Sequence, residues 1–177
     1  AAGKALGKSL YLPELVEAAS DLLQKAENEN KSILMPTDVV CGTSMDDESP
    51  AIVKSVDEIE SDELVMDIGP ETVRVFTKQL SNAKTVVWSG PMGIVELEQF
   101  ANGTSTVAKT IAASDSYSIA NGGDTLAYID SASLNEKFSH LSTGGGSSLE
   151  FMQGKQLPAV VMMEESARVR YAVEREY

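Results

Sequence analysis

Tyr117-Ser118-Ile119-Ala120-Asn121-Gly122-Gly123-Asp124-Thr125-Leu126 is the stretch whose reading decides the fold. Tyr117 to Ala120 is short and apolar enough for a buried strand. Two glycines stop it, and Leu126 and Ile129 follow at helical spacing. The same strand–glycine–helix grammar recurs on either side. Upstream, Thr85-Val86-Val87-Trp88 reads as a buried strand stopped by Ser89-Gly90-Pro91, and Val107, Ala108 and Ile111 mark a helix from about Thr104 to Ala113. Downstream, Phe138 to Leu141 reads as the last strand. It ends in Ser142-Thr143-Gly144-Gly145-Gly146, before a short helix carrying Leu149, Phe151 and Met152. Strands alternating with helices predict an α/β three-layer sandwich, a mainly parallel sheet with helices on both faces. Ligands of such sheets bind beyond the carboxyl ends of the strands. Gly90, Gly122-Gly123 and Gly144 to Gly146 are therefore expected on one edge.

Toward the N-terminus, Pro13 opens a helix with Leu15, Ala18, Ala19, Leu22, Leu23 and Ala26 on one stripe. Ile33-Leu34-Met35 and then Val39-Val40 read as a strand leading into a loop. Asp46 to Glu63 is acidic, with one β-like piece at Ile52-Val53, and predicts a surface hairpin or excursion. Leu64 to Ile68 is a short extended run. Gly69-Pro70 then starts a helix with Val73, Phe76 and Leu80 inside. The tail from Val161 to Tyr177 carries charges of both signs and a potential final helix. The reading thus divides the chain into 1–160, one α/β unit, and 161–177, a C-terminal extension.

The 177 residues include 14 Lys plus Arg and 27 Asp plus Glu, a net charge of −13. That acidity argues against nucleic acid and against anionic membranes, both of which need clustered cations. It leaves room for small phosphate ligands held by backbone N–H groups. The 42% apolar content supports a packed core. A lone cysteine, Cys41, and a lone histidine, His140, exclude an internal disulfide and a multi-histidine metal centre. His140 reads as a packed, hydrogen-bonded residue, Cys41 as a small core or loop residue, and Trp88, Tyr117 and Tyr128 as core or boundary aromatics. With no signal-type segment and no apolar run long enough to span a bilayer, a reducing, cytoplasmic setting is expected.

Each glycine turn has two readings. Gly144-Gly145-Gly146 is either a tight strand-to-helix turn or a place where backbone N–H groups approach an anion. In Gly122-Gly123-Asp124-Thr125, Asp124 and Thr125 are either helix caps or, respectively, a ligand for Mg²⁺ and a phosphate contact. After Gly90-Pro91, Met92, Ile94 and Val95 could wall a planar base with Glu96 reaching a ribose. Alternatively, Met92 and Val95 belong to the core and Glu96 is solvated. Ala2 to Ser9 loosely matches a P-loop, but no strand precedes it and Pro13 breaks the helix that Lys8 would have to open.

Asp67-Ile68-Gly69-Pro70, Val87-Trp88-Ser89-Gly90-Pro91-Met92-Gly93, Gly122-Gly123-Asp124-Thr125, Phe138 to Glu150 and Gly154-Lys155-Gln156-Leu157-Pro158 occur in this order. From about Ala1 to Val160 the chain resembles the C-terminal, nucleotide-binding domain of phosphoglycerate kinase. The resemblance implies a Rossmann-like sheet and reversible phosphoryl transfer between 1,3-bisphosphoglycerate and ADP, giving 3-phosphoglycerate and ATP with Mg²⁺. It makes Asp124 the metal ligand and Thr125 a phosphate contact, with Gly122 and Gly123 beside them. Glu96 would hold the ribose, and Gly90, Pro91 and Met92 would line the base pocket. The amides of Gly144, Gly145 and Gly146 would face the phosphoryl group in flight.

Relative to the family's usual pattern, Ser89 replaces Asn, Val95 a bulky aromatic, Asn121 a Gly, and Val65 a Gly that lets adenine approach the backbone. The resemblance also leaves out the family's substrate-binding N-terminal domain and the first two strands of the nucleotide domain, with their lysine-bearing glycine loop. The sheet is thus expected to be incomplete relative to the family, with raw edges, and the chain to be inactive without the missing half in cis or in trans. A non-catalytic nucleotide- or anion-binding module and an inactive structural fragment are the rival expectations.

Overall fold

The computed structural model describes residues 3–174, with side chains through residue 168. A single 3-10 turn at Pro13–Leu15 leads into helix α1 (Val16–Asn28). Pro13 occupies the first position, where its missing N–H costs nothing. The helix forms as its periodicity predicts, but its apolar stripe meets no core. Leu15 is 52% exposed, Leu22 is 59% exposed, and no residue of α1 is buried.

Strands β1 (Asp38–Gly42), β2 (Ile52–Ser55) and β3 (Leu64–Ile68) form one sheet in the order β2-β1-β3, antiparallel throughout. Val40 lies opposite Val53 on one side and Asp67 on the other. Here the expectation of a parallel arrangement fails along the first half of the chain. The connections 43–51 and 56–63 contain no helix, and a parallel pair needs a crossover of about a dozen residues or more. The excursion read in Asp46 to Glu63 is the β1–β2 hairpin and its continuation. Ile33-Leu34-Met35 is not a strand but an exposed segment, because no described strand lies alongside to receive its hydrogen bonds.

Helix α2 (Pro70–Leu80) leads to a second sheet of β4 (Thr85–Ser89), β5 (Tyr117–Asn121) and β6 (His140–Ser142), parallel and in that order. The crossovers are helices α3 (Asn102–Ala113) and α4 (Gly123–Ser131). Val86 and Trp88 of β4 and Ala120 of β5 bury against Val107, Ala108 and Ile111 of α3 and Ile129 of α4. Phe138 joins them, stacked on Trp88 with ring centroids 6.1 Å apart. Helices α5 (Gly146–Met152) and α6 (Pro158–Glu174) complete the described chain, and α6 runs unbroken through position 160. On the opposite face of the sheet, Ile119, Asn121, His140 and Ser142 share a hollow with Ser147, Phe151 and Met152 of the α5 region. Tyr117 and His140 are exposed on that face rather than packed. Among the described residues, no helix is long and apolar enough to cross a membrane.

The start of α2 shows how β1 holds the next layer. Gly69, the cap residue, has no side chain to satisfy the first-turn N–H groups. Asp38 does so from across the sheet: its carboxylate accepts from the N–H groups of Glu71 (2.9 Å) and Thr72 (2.7 Å) and from the Thr72 hydroxyl (2.7 Å). The carboxylate occupies the space into which a Cβ at position 69 would project. Partial burial pushes the Asp38 carboxyl up, but the Thr72 hydroxyl and the two amides outweigh it and hold it below its ordinary value of 3.8. A lowered carboxyl stabilises the fold above that value, and the contribution disappears as pH falls through the folded-state value. Asp38→Ala is expected to cost about 1–2 kcal/mol at neutral pH by urea denaturation, with the gap to wild type closing below pH 3.8.

Candidate functional site

The parallel register settles where the glycine turns lie. Ser89 is paired with Asn121, and Asn121 with Ser142, so β4, β5 and β6 end level with one another. Gly90, Gly122-Gly123 and Gly144 to Gly146 leave that common edge within a residue or two of the strand ends. The backbone turns sharply here: Gly90, Gly122 and Gly145 have φ of 96°, 99° and 51°, where a side chain would be strained. A Cβ placed on Gly90, Gly123, Gly145 or Gly146 would meet open space. The backbone at these four positions is therefore approachable by a ligand.

Side chains knit the three turns together. The Gly90 N–H donates to the Thr125 hydroxyl oxygen at 2.8 Å, and Thr125 is 0% exposed. The Trp88 indole N–H donates to the Gly90 carbonyl at 2.7 Å. Asn121 donates through its amide to Ser89 Oγ (3.3 Å) and to the Gly145 carbonyl (3.1 Å). In the third turn the hydroxyls of Ser142 and Ser148 bond each other at 2.5 Å, and Ser142 also accepts from the Gly144 N–H at 3.3 Å. The N–H groups of Ser147 and Ser148 turn back to the carbonyls of Gly144 and Gly145, and the space a Cβ would take at Gly145 and Gly146 is open. Of the three candidate amides here, that of Gly144 is already engaged.

Asp124 does not cap α4. The cap residue is Gly122, no side chain bonds the first turn, and Asp124 is exposed. The capping interpretation of Asp124 and Thr125 is thereby removed, and a free carboxylate stands beside the first-turn N–H groups. One carboxylate is a fitting protein share for Mg²⁺, which commonly takes one or two from the protein and the remainder from substrate phosphates and water. No group of three acidic, histidine or cysteine ligands occurs among the described residues.

The residues assigned to a base and ribose are dispersed. Pro91 and Met92 follow Gly90 directly, but Met92 packs against the parallel-sheet core, and its N–H donates to Thr104 Oγ1 at 2.9 Å. Ile94, expected in an apolar wall, instead packs against Val40, Met66 and Phe100 of the other sheet's core. Val95 is half-buried and Glu96 is exposed. The P-loop-like N-terminal stretch forms no helix at Lys8. The Lys8 N–H bonds the Glu63 carbonyl, Ser9 Oγ accepts from the Val65 N–H, and Lys4 pairs with Asp57. Cys41 is fully buried, and burial, with Glu63 nearby, pushes its thiol up and away from reactivity.

The phosphoglycerate kinase family model matches residues 1–155. The phosphoglycerate kinase of Nitratidesulfovibrio vulgaris (strain DSM 19637 / Miyazaki F) is 46% identical over 165 residues, covering 93% of this chain and 42% of that protein. That of Legionella pneumophila (strain Corby) is 45% identical over 168 residues, covering 95% of this chain and 42% of the relative. Among solved structures, phosphoglycerate kinase from Coxiella burnetii superposes with a TM-score of 0.85 at 41% identity, over 89% of this chain and 41% of that one. The enzyme from Pyrococcus horikoshii OT3 gives 0.75 at 29% identity, over 88% and 37%. This chain belongs to the phosphoglycerate kinase family, and it spans 42% of the length of these curated relatives.

Sequence reasoning located the three turns but not the ties between them. It assigned Thr125 to a ligand and treated Asn121 only as a departure from the family. The signal was available: Ser89, Asn121 and Ser142 each end a strand and precede a glycine turn, so a parallel register places them in one row. Thr125→Val is expected to lower stability by about 1 kcal/mol, since the Gly90 N–H loses its acceptor. Hydrogen exchange at the Gly90 amide should accelerate. Unchanged exchange there would show that the bond does not hold the turn.

Proposed function

We propose that this chain is the nucleotide-holding segment of a phosphoglycerate kinase, serving phosphoryl transfer between 1,3-bisphosphoglycerate and ADP. The observation that carries the reading is the meeting of three approachable glycine turns at one sheet edge, beside the uncommitted carboxylate of Asp124. Phosphoryl transfer asks mainly for positioning and charge neutralisation, and both are built into this rim. The Gly123 backbone would approach phosphate oxygens, whereas the Thr125 hydroxyl, expected as a phosphate contact, is fully buried and would instead hold the Gly90 turn beside them. The amides of Gly145 and Gly146 would face the transferring group, and Gly122 gives the turn its sharp geometry. Asp124 would hold Mg²⁺, which supplies charge neutralisation across the phosphates. Gly90, Pro91 and Met92 would border the base, and Glu96 would serve the ribose.

The rest of the kinase would complete the machinery. None of the three turns carries a lysine or arginine, so cationic support for the phosphates has to come from elsewhere, and phosphoglycerate needs its own site. The free side of β4 also fits this view. An apolar hollow of about 280 Å³ opens along it, lined by Leu34, Phe76, Leu80, Val87, Trp88 and Met92 among others. A neighbouring strand and its flanking side chains would fill such a gap. We assign residues 1–160 to this nucleotide-side unit and 161–177 to an extension of it, in a cytoplasmic enzyme that acts only when joined to its other half. The lack of cations in the turns also favours a second reading, a non-catalytic anion- or nucleotide-binding module.

Asp124→Ala in the complete polypeptide is expected to reduce turnover by about a hundredfold. It should weaken Mg-ADP binding in calorimetry while leaving metal-free ADP binding unchanged. Full turnover in that variant would refute the metal role. The isolated chain is expected to bind Mg-ADP more weakly than the complete polypeptide and to show no turnover in a coupled assay. Turnover by the chain alone would overturn its dependence on a second half, and Mg-ADP binding without turnover in the complete polypeptide would establish the module reading.

A further inference from the structure

We propose that Asn121, with Ser89 opposite it, is a positioning residue that sets the third glycine turn for phosphoryl transfer. The inference rests on the function proposed above. The two residues lie directly opposite each other at the carboxyl ends of β4 and β5. An amide side chain thus stands at the junction of the two strands, facing a short hydroxyl across it.

The structure gives this side chain a task. From β5, the Asn121 amide reaches both Ser89 Oγ at 3.3 Å and the carbonyl of Gly145 at 3.1 Å. Gly145 has φ of 51° and precedes the first residue of α5. Fixing its carbonyl fixes the plane of the peptide whose N–H belongs to Gly146, a position where a Cβ would meet open space. One side chain therefore links the ends of β4 and β5 to the turn that follows β6. Asn121 is 1% exposed, and among the described residues its Oδ1 has no hydrogen-bond partner. Ser89, with one short hydroxyl, leaves room for the amide. An asparagine at both positions would crowd two amides into one paired site.

The test is a cycle in the complete polypeptide: Asn121→Gly, Ser89→Asn and the double variant S89N/N121G. Asn121→Gly is expected to lower kcat about tenfold while KM for ADP changes less than about twofold, because a misplaced donor affects the transition state more than nucleotide binding. Hydrogen exchange at the Gly146 amide should quicken by a similar factor. Ser89→Asn alone should also lower kcat, and the double variant should return kcat and exchange to within about threefold of wild type. A merely structural role would instead shift the melting temperature with no split between kcat and KM. The inference fails if Asn121→Gly leaves Gly146 exchange and kcat unchanged, or if the double variant is no better than the worse single one. If the wild-type polypeptide neither binds Mg-ADP nor turns over, the functional reading fails. Exchange restored in the double variant would then still show that the pair sets the turn.

Discussion

The buried carboxylate of Asp67 is the point on which the two sheets are joined. It is the penultimate residue of β3 and accepts the N–H of Gly103 at 2.7 Å, across 36 residues of chain, as well as the neighbouring Ile68 N–H at 2.8 Å. Burial pushes its pKa up, and those two N–H bonds pull against that. A Cβ on either Gly93 or Gly103 would collide with the carboxylate, so both glycines are needed for the approach. Gly103 lies in the first turn of α3, where unpaired N–H groups and the positive end of the helix dipole favour a carboxylate. The same helix carries Val107, Ala108 and Ile111 into the parallel-sheet core. The antiparallel sheet thus sets the position of α3, α3 supports β4 and β5, and their ends define the rim.

The second half of the fold was readable because its signals are local. Val86 and Trp88 alternate inward on β4, Val107 and Ile111 are a helical turn apart on α3, and glycines mark each boundary. The first half was harder because its order depends on pairing. Val39-Val40 and Leu64 to Ile68 look the same in a parallel or an antiparallel sheet, and only the short, helix-free connections between them decide. Ile33-Leu34-Met35 has the composition of a strand, but composition supplies no neighbour. At the candidate site, glycine turns are visible as letters. The Asp38 cap on α2, the Thr125 bond to Gly90 and the Asn121 bridge all join residues more than 20 positions apart, and no local pattern announces them.

The exposed apolar side chains tell a related story. Leu10, Leu12, Leu15 and Leu22 near α1, Val87 on β4, and Phe151, Met162 and Met163 near the C-terminal end are all solvent-facing. Several single exposures of this kind are ordinary in any protein. Their concentration in the segment from Leu10 through Leu22, which leads into and along α1, a helix with no buried residue, is not, and larger patches of this sort commonly mark surfaces that pack against further structure. The parallel sheet shows the same thing from inside: one face is closed by α3 and α4, whereas the other leaves Tyr117 and Val87 in water.

Trp88 gives this architecture an optical consequence. It is the sole tryptophan of the chain, its ring is buried against Phe138, and its indole N–H is bonded to the carbonyl of Gly90. Its fluorescence therefore reports from the hinge between the hydrophobic interior and the first of the glycine turns. Any molecule that shifts the backbone at Gly90 will alter the polarity and quenching felt by that indole, so the chain carries a built-in, label-free spectroscopic gauge of occupancy at its own rim.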